Sequence, residues 1–290
     1  MRSAVPADRP GAGTTLRLVR PTPKSSPDKA PALRHPTRQS KDCAPTAVFL
    51  SRNTHLQIVP QKVHHMIHRR LLPAVICLAT LSGLVIADEV PKPDGMKLIY
   101  QHDFEDSSMD RYEPTDATAW KLGEAKGNHF ASLIRKDSKF EPPVRSPFNR
   151  NLIRDLKLGT FTMDVRVQST IPDYGHRDLC LFFGYQDDSH LYYVHLGKEA
   201  DDHANQIFIV NEKPRTKIST KTTKGTPWTD EWHNVRISRN IESGEVMVYF
   251  DDMQTPAMTA TDKTFGEGRV GFGSFDDIGN FDNVRIFIPE

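Results

Sequence analysis

The chain has 290 residues, with 38 Lys and Arg against 37 Asp and Glu and a formal net charge of +1. That length admits one large domain or two small ones, and the near-neutral total hides a split. Residues 1–65 carry eleven basic and three acidic residues, whereas residues 88–290 carry 25 basic and 34 acidic ones, which argues against nucleic acid as a partner because phosphate backbones demand a basic surface.

In chain order, residues 1–65 come first, with nine Pro and little apolar periodicity. Such a stretch cannot bury enough surface to fold and is expected to be disordered. "MIHRRLLPAVICLATLSGLVIADEV" follows, with a short basic region His68-Arg69-Arg70, an apolar run from Leu71 to Ala87 and polar sequence from Asp88. This is the layout of a secretory signal peptide over residues 66–87. A signal peptide stands at an N-terminus, so this reading starts translation at Met66 and leaves residues 1–65 as an upstream extension. The expected location is secreted or periplasmic, with no membrane contact after cleavage. The alternative is an uncleaved anchor over residues 71–87, which are at the short limit for a span. Residues 88–96 read as a linker. Only Cys180 of the three Cys lies beyond the signal, so no internal disulfide is expected, and about 200 residues can build a core without one.

From residue 97 the pattern is one strand after another. "KLIYQHDF" places Leu98, Tyr100, His102 and Phe104 on one face. Residues 129–135 follow, then 159–169, where Phe161, Met163, Val165 and Val167 alternate with polar residues. Residues 178–186 and 190–197 read as a hairpin around Asp187-Asp188-Ser189. Further strands are expected at 205–211, 231–240, 244–252 and 268–275. In the last strand Asp282 shares a face with Val284, Ile286 and Ile288, and an inward carboxylate needs a partner. No stretch of ten residues has helical periodicity. The expectation is an all-β antiparallel two-sheet sandwich over residues 97–290, with sites on the polar loops 170–177 and 198–204.

The densest polar grouping is "YYVHLGKEADDHANQIFIVNEKPRTKI", residues 192–218. Tyr193 and His195 share a strand face. Asp201, Asp202, His203 and Asn205 follow in the loop, and Arg215 follows the next strand. Such a mixture suits a polyhydroxylated ligand, because each hydroxyl both donates and accepts. The candidate ligand-binding residues are therefore Tyr193, His195, Asp202, His203, Asn205 and Arg215. The competing reading is a solvated loop whose Asp and Asn satisfy turn backbone. His195, His203 and Asp202 are types that bind zinc, but their spacing matches no motif. His176, Arg177 and Asp178 read as an exposed ion pair, of interest only if they share a concavity with His195. Cys180 reads as a small core residue. Trp232 is expected in the core, and Trp228 in a sugar platform.

Two longer segments carry a resemblance. "WTDEWHNVRISRNIESGEVMVYFDD" looks like the paired strands of concanavalin A-like jelly rolls, and "EGRVGFGSFDDIGNFDNVRIF" resembles their closing strands. The likeness extends to laminin G-like and 3-keto-disaccharide-hydrolase-like domains, covers residues 97–288 and is clearest over 228–288. It implies a jelly roll and a secreted carbohydrate-binding or carbohydrate-active protein, extending to a glycoside hydrolase acting on a modified disaccharide or polysaccharide. The alternative it implies is a non-catalytic laminin G-like adhesion or structural module. Related glucanases carry a Glu-x-Asp-x-x-Glu run along one strand. Here Glu242 and Glu245 flank a hairpin turn instead, so the ordinary glucanase reading fails and no catalytic residue is assigned. The resemblance also implies a structural calcium at Glu105 and Asp282. The alternative is that Asp282 caps backbone N–H groups.

Overall fold

Period-two alternation through most of residues 96–290 produces strands rather than helices, and the only helical turn among the described residues is the 3-10 turn Ala117–Ala119. The structure, a computed structural model, describes residues 90–290. The basic extension and the signal segment lie outside the described residues. Among these residues no helix is long and apolar enough to cross a membrane. The strands are β1 Met96–His102, β2 Tyr112–Pro114, β3 Trp120–Ala125, β4 Asn128–Leu133, β5 Asn149–Leu158 and β6 Phe161–Ser169. They continue with β7 Cys180–Asp187, β8 His190–His195, β9 Gln206–Asn211, β10 Thr216–Lys217 and β11 Ser219–Thr222. The last are β12 His233–Arg239, β13 Glu245–Phe250, β14 Met258–Thr261, β15 Gly268–Ser274 and β16 Gly279–Pro289.

They form two antiparallel sheets. The first runs β11-β14-β13-β12-β6-β16-β4-β3, with β1 also paired to β16, and the second runs β10-β9-β8-β7-β15-β5-β2. This is the expected two-sheet jelly-roll sandwich. Phe161, Met163, Val165 and Val167 of β6 meet Leu181 and Phe183 of β7 and Tyr192 and Val194 of β8 in the core between the sheets. At about 25 cal/mol per Å² of apolar surface removed from water, such residues dominate the stability.

The second sheet is buried on both faces. Cys180, Leu181, Phe182 and Phe183 are all inaccessible, which explains why this stretch reads as a continuous apolar run rather than an alternation. A second cluster on the outer face gathers Leu152, Cys180, Phe182, Leu191, Tyr193, Phe208 and Phe275, and Val144 and Phe148 from the 134–148 loop pack on it. That cover defines the rim of the site described below.

Several expectations change. The final strand does not alternate through its length: its pairing with β6 shifts register between Asp282 and Arg285, and Asn283 takes φ 49°. Phe281, Val284 and Ile286 therefore all reach the core. A bulge of this kind moves every later side chain to the other face, so Asp282 does not share the face of Val284 and Ile286. β5 was not expected. Charged residues and a positive φ of 53° at Asp155 interrupt its pattern, beside a register shift against β15. Neither tryptophan is where it was expected: Trp228 is buried and its Nε1 donates to the Leu196 carbonyl at 2.7 Å, while Trp232 is half-buried against Phe130 and Arg166.

Candidate functional site

Hairpin register brings the first part of the site together. β7 and β8 pair Cys180 with His195, so Asp178, just before β7, lies beside the end of β8. His195 Nε2 is 2.6 Å from Asp178 Oδ2, and both side chains are buried. Ser274, at the end of β15, donates from Oγ to Asp178 Oδ1 at 2.6 Å. The next turn of chain, Phe275-Asp276-Asp277, closes the group: the Asp277 amide donates to Ser274 Oγ at 2.8 Å, and the Asp178 amide donates to Asp277 Oδ2 at 3.0 Å. Tyr174 donates its hydroxyl to Asp277 at 2.7 Å, and Lys136 Nζ lies 3.2 Å from Asp277 Oδ1.

These contacts divide the carboxylates. Burial alone would raise Asp178, but the charge and hydrogen bond of His195, Ser274 and the Phe275 amide outweigh it and hold Asp178 below its ordinary value. Burial and then the Asp178 charge raise Asp277. Asp276 is raised in the same way, by lost hydration and then by Asp178 and Asp277. An ionised Asp178 accepts from His195 Nε2–H, and in the neutral ring tautomer that carries this proton Nδ1 is a lone-pair acceptor. That Nδ1 is buried and has no hydrogen-bond partner in the protein.

A pocket of about 440 Å³ opens here, lined by Arg145, Tyr174, His176, Asp178, His195, Asp201, His203, Arg215, Phe275 and Asp276. Three of the six expected ligand residues, His195, His203 and Arg215, line it. Tyr193 does not: it is fully buried in the outer cluster, stacked on Phe208, and its hydroxyl accepts from Arg215 Nη1 at 3.1 Å. Asp202 points elsewhere and pairs with Lys217 at 2.5 Å, leaving its neighbour Asp201 to face the pocket. Asp201 is held there because its Oδ1 accepts from the His203 and Ala204 amides at 2.6 and 2.7 Å. Asn205 is structural. It is buried with φ 52°, and its amide group ties the loop to Thr222, Thr223 and Thr226. Arg177 and Asp178 are buried rather than an exposed ion pair, while His176 reaches the pocket rim.

His176 and Asp178 do share the concavity of His195, the condition under which they were of interest, and Tyr174 comes from the 170–177 loop expected to carry sites, whereas Arg145 and Asp276 were not anticipated. The signal for Asp276 and Asp277 was the paired acids in "SFDDIG", directly after a strand. Arg145 sits in a loop without any local pattern.

The Glu105 and Asp282 carboxylates have protein partners. Glu105 accepts from the His129 amide at 2.8 Å and faces His129 Nδ1 at 3.0 Å. Asp282 accepts from Asn128 Nδ2 at 3.0 Å and the Asn283 amide at 2.7 Å. No third His, Cys, Asp or Glu closes a group with them among the described residues. Calcium takes six to eight oxygen ligands, so hydrogen-bonded capping accounts for this pair better than calcium does. The one group of three that does form is Asp178, Cys180 and His195, all buried. Its thiol and imidazole suit softer ions, and its carboxylate oxygens already serve His195 and Ser274.

No protein-family model matches the chain, and no curated protein matches it. Solved structures do. The carbohydrate binding module CBM66 from Bacillus subtilis aligns at 15% identity and TM-score 0.43, over 60% of this chain and 93% of that one. A lectin from Bauhinia forficata in complex with GalNAc aligns at 9% identity and TM-score 0.42, over 66% and 98%. A GlcNAcα1-4Gal-releasing endo-β-galactosidase from Clostridium perfringens aligns at 11% identity and TM-score 0.45, over 69% and 65%. At such scores individual positions do not correspond, so the chemistry of this site rests on its own residues.

Proposed function

We propose that the pocket binds a carbohydrate and that the protein is an exported carbohydrate-binding or carbohydrate-active protein. The observation that carries this reading is the buried, unpartnered Nδ1 of His195 in a pocket rich in donors and acceptors. A buried acceptor without a partner costs about 1–3 kcal/mol, and a ligand hydroxyl would supply the missing proton. Tyr174, 38% exposed at the rim, offers a ring on which a sugar face can stack. Of His195, Asp202, His203 and Arg215, whose convergence separates this reading from a laminin G-like adhesion module, three line one pocket and Asp202 does not, which favours the carbohydrate reading. Export rests on the signal-like segment at residues 66–87.

The test is glycan-array binding by the purified protein and its His195→Gln variant, with melting temperature measured on the same samples. Loss of binding with a retained fold supports the assignment. Unchanged binding refutes it.

A second reading, turnover, draws on Asp276. A raised carboxyl and an ionised Asp178 with its imidazole in one pocket make an acid and a base available together. In hydrolysis, His195 Nδ1 would take a proton from water attacking the anomeric carbon, and Asp276 would protonate the departing oxygen. Asp276→Asn should then abolish release of reducing ends while sugar binding persists. If that variant releases them at the wild-type rate, the hydrolytic reading is wrong.

A further inference from the structure

The pocket is electrically lopsided. Asp276 and Asp277 gather with Lys136 near Tyr174. The other wall carries two guanidiniums over one ring: Arg215 lies 4.2 Å and Arg145 5.3 Å from the Phe275 centroid. Their backbones are tied as well, because the Arg215 amide donates to the Arg145 carbonyl at 3.1 Å. Arg215 is further fixed by its bond to the buried Tyr193 hydroxyl and by Phe208, 5.0 Å away.

Among the described residues, neither guanidinium has a carboxylate within ion-pair distance. Several other arginines around the second sheet do pair with carboxylates. Arg150 pairs with Asp188, Arg177 with Asp230 and Arg269 with Glu113. Asp201, the acid on the loop side of the pocket, is engaged by the His203 and Ala204 amides and lies 4.0 Å from His176. Two like charges held against one ring repel each other. A planar, pre-oriented fork matches the oxygens of a carboxylate or sulfate bidentately and loses little entropy on binding one.

We propose that the pocket takes an anionic sugar, a hexuronate or a sulfated residue, whose charged group docks between Arg145 and Arg215 while its hydroxyls face His195. This deepens the carbohydrate reading above and rests on it.

The test is calorimetric titration of the purified protein at fixed ionic strength. The probes are glucuronate- and galacturonate-containing disaccharides, their uncharged counterparts, a sulfated disaccharide and sodium sulfate alone. The same probes are run on Arg145→Gln and Arg215→Gln, with melting temperature as the check on folding. Arg145 is exposed, so its variant stays informative if Arg215→Gln proves unstable. The expected result is an affinity for at least one charged disaccharide about tenfold or more above its neutral counterpart. Each substitution should reduce the charged-over-neutral advantage about tenfold. Which probe wins, uronate or sulfated sugar, identifies the anionic group. Neutral and charged sugars binding alike, in wild type and variants, would overturn the anionic inference and leave the carbohydrate reading intact. Sodium sulfate binding as tightly as any sugar would overturn both, leaving a bare anion site. No binding by any charged disaccharide would also overturn the proposal.

Discussion

Replacing Asp178 with Asn tests the arrangement at the bottom of the pocket. The carboxylate accepts from His195 Nε2 and from Ser274 Oγ, each at 2.6 Å, and it is buried. Hydrogen bonds to a charged group are worth about 1.5–3 kcal/mol each. An amide keeps the shape but has one acceptor atom instead of two. One bond is lost and the other falls to neutral strength, for a total of about 2–4 kcal/mol. In a domain of this size each kcal/mol moves the melting temperature by about 2–4 °C, so a drop of roughly 5–15 °C is expected. The pH dependence has a definite sign. Asp178 lies below its ordinary value in the folded protein, so its stabilisation is complete above the unfolded carboxylate range near ~4 and is lost as pH falls through the folded value. The melting temperature of Asp178→Asn should therefore approach that of the wild type in acid. The assay is thermal unfolding followed by near-ultraviolet circular dichroism from about pH 7 down to about pH 3, a window that brackets that range. An unchanged melting temperature at neutral pH, or a gap that does not narrow in acid, would refute the assigned pairing.

Other expectations follow from single contacts. Asp116 accepts from Thr118 and from the Lys139 amide, which holds it down to about 2 and anchors the 134–148 loop. Asp116→Ala should cost about 1–2 kcal/mol, measurable by urea denaturation, and should make the loop more sensitive to protease. Gly184 takes φ 56°, and a Cβ there would lie 2.9 Å from the Tyr192 ring. Gly184→Ala should therefore destabilise by about 1–3 kcal/mol, and a stability equal to wild type would contradict the local geometry. Because protein groups satisfy Asp282, a chelator should leave the melting temperature unchanged, whereas a clear fall would restore the calcium reading.

The sheets were largely legible because apolar alternation at period two has a direct physical cause. The β7–β8 hairpin, its Asp187-Asp188-Ser189 turn and the core face of β6 all emerged from it. Alternation misled where the backbone gains a residue, as at Asn283, where one positive φ reverses the parity of the last strand. The site was half legible. His195, His203 and Arg215 were reachable because they cluster in one stretch of sequence. Asp178 was visible as a residue but not as the partner of His195, since that pairing depends on hairpin register. Arg145 and Asp276 come from distant loops, and only the folded sheet brings them to the same pocket. Neighbouring acids were also easily confused: backbone amides turn Asp201 toward the pocket, while Asp202 is drawn away by Lys217.

The central claim is that His195 Nδ1 is an acceptor waiting for a sugar hydroxyl. Imidazole nitrogen-15 spectra of the labelled protein test it most directly, recorded before and after adding a sugar that binds on the array. The account predicts a neutral His195 with its proton on Nε2, facing Asp178, and a shift of the Nδ1 resonance when the sugar binds. A proton on Nδ1 in the free protein, or an Nδ1 resonance unmoved by a saturating sugar, would contradict it.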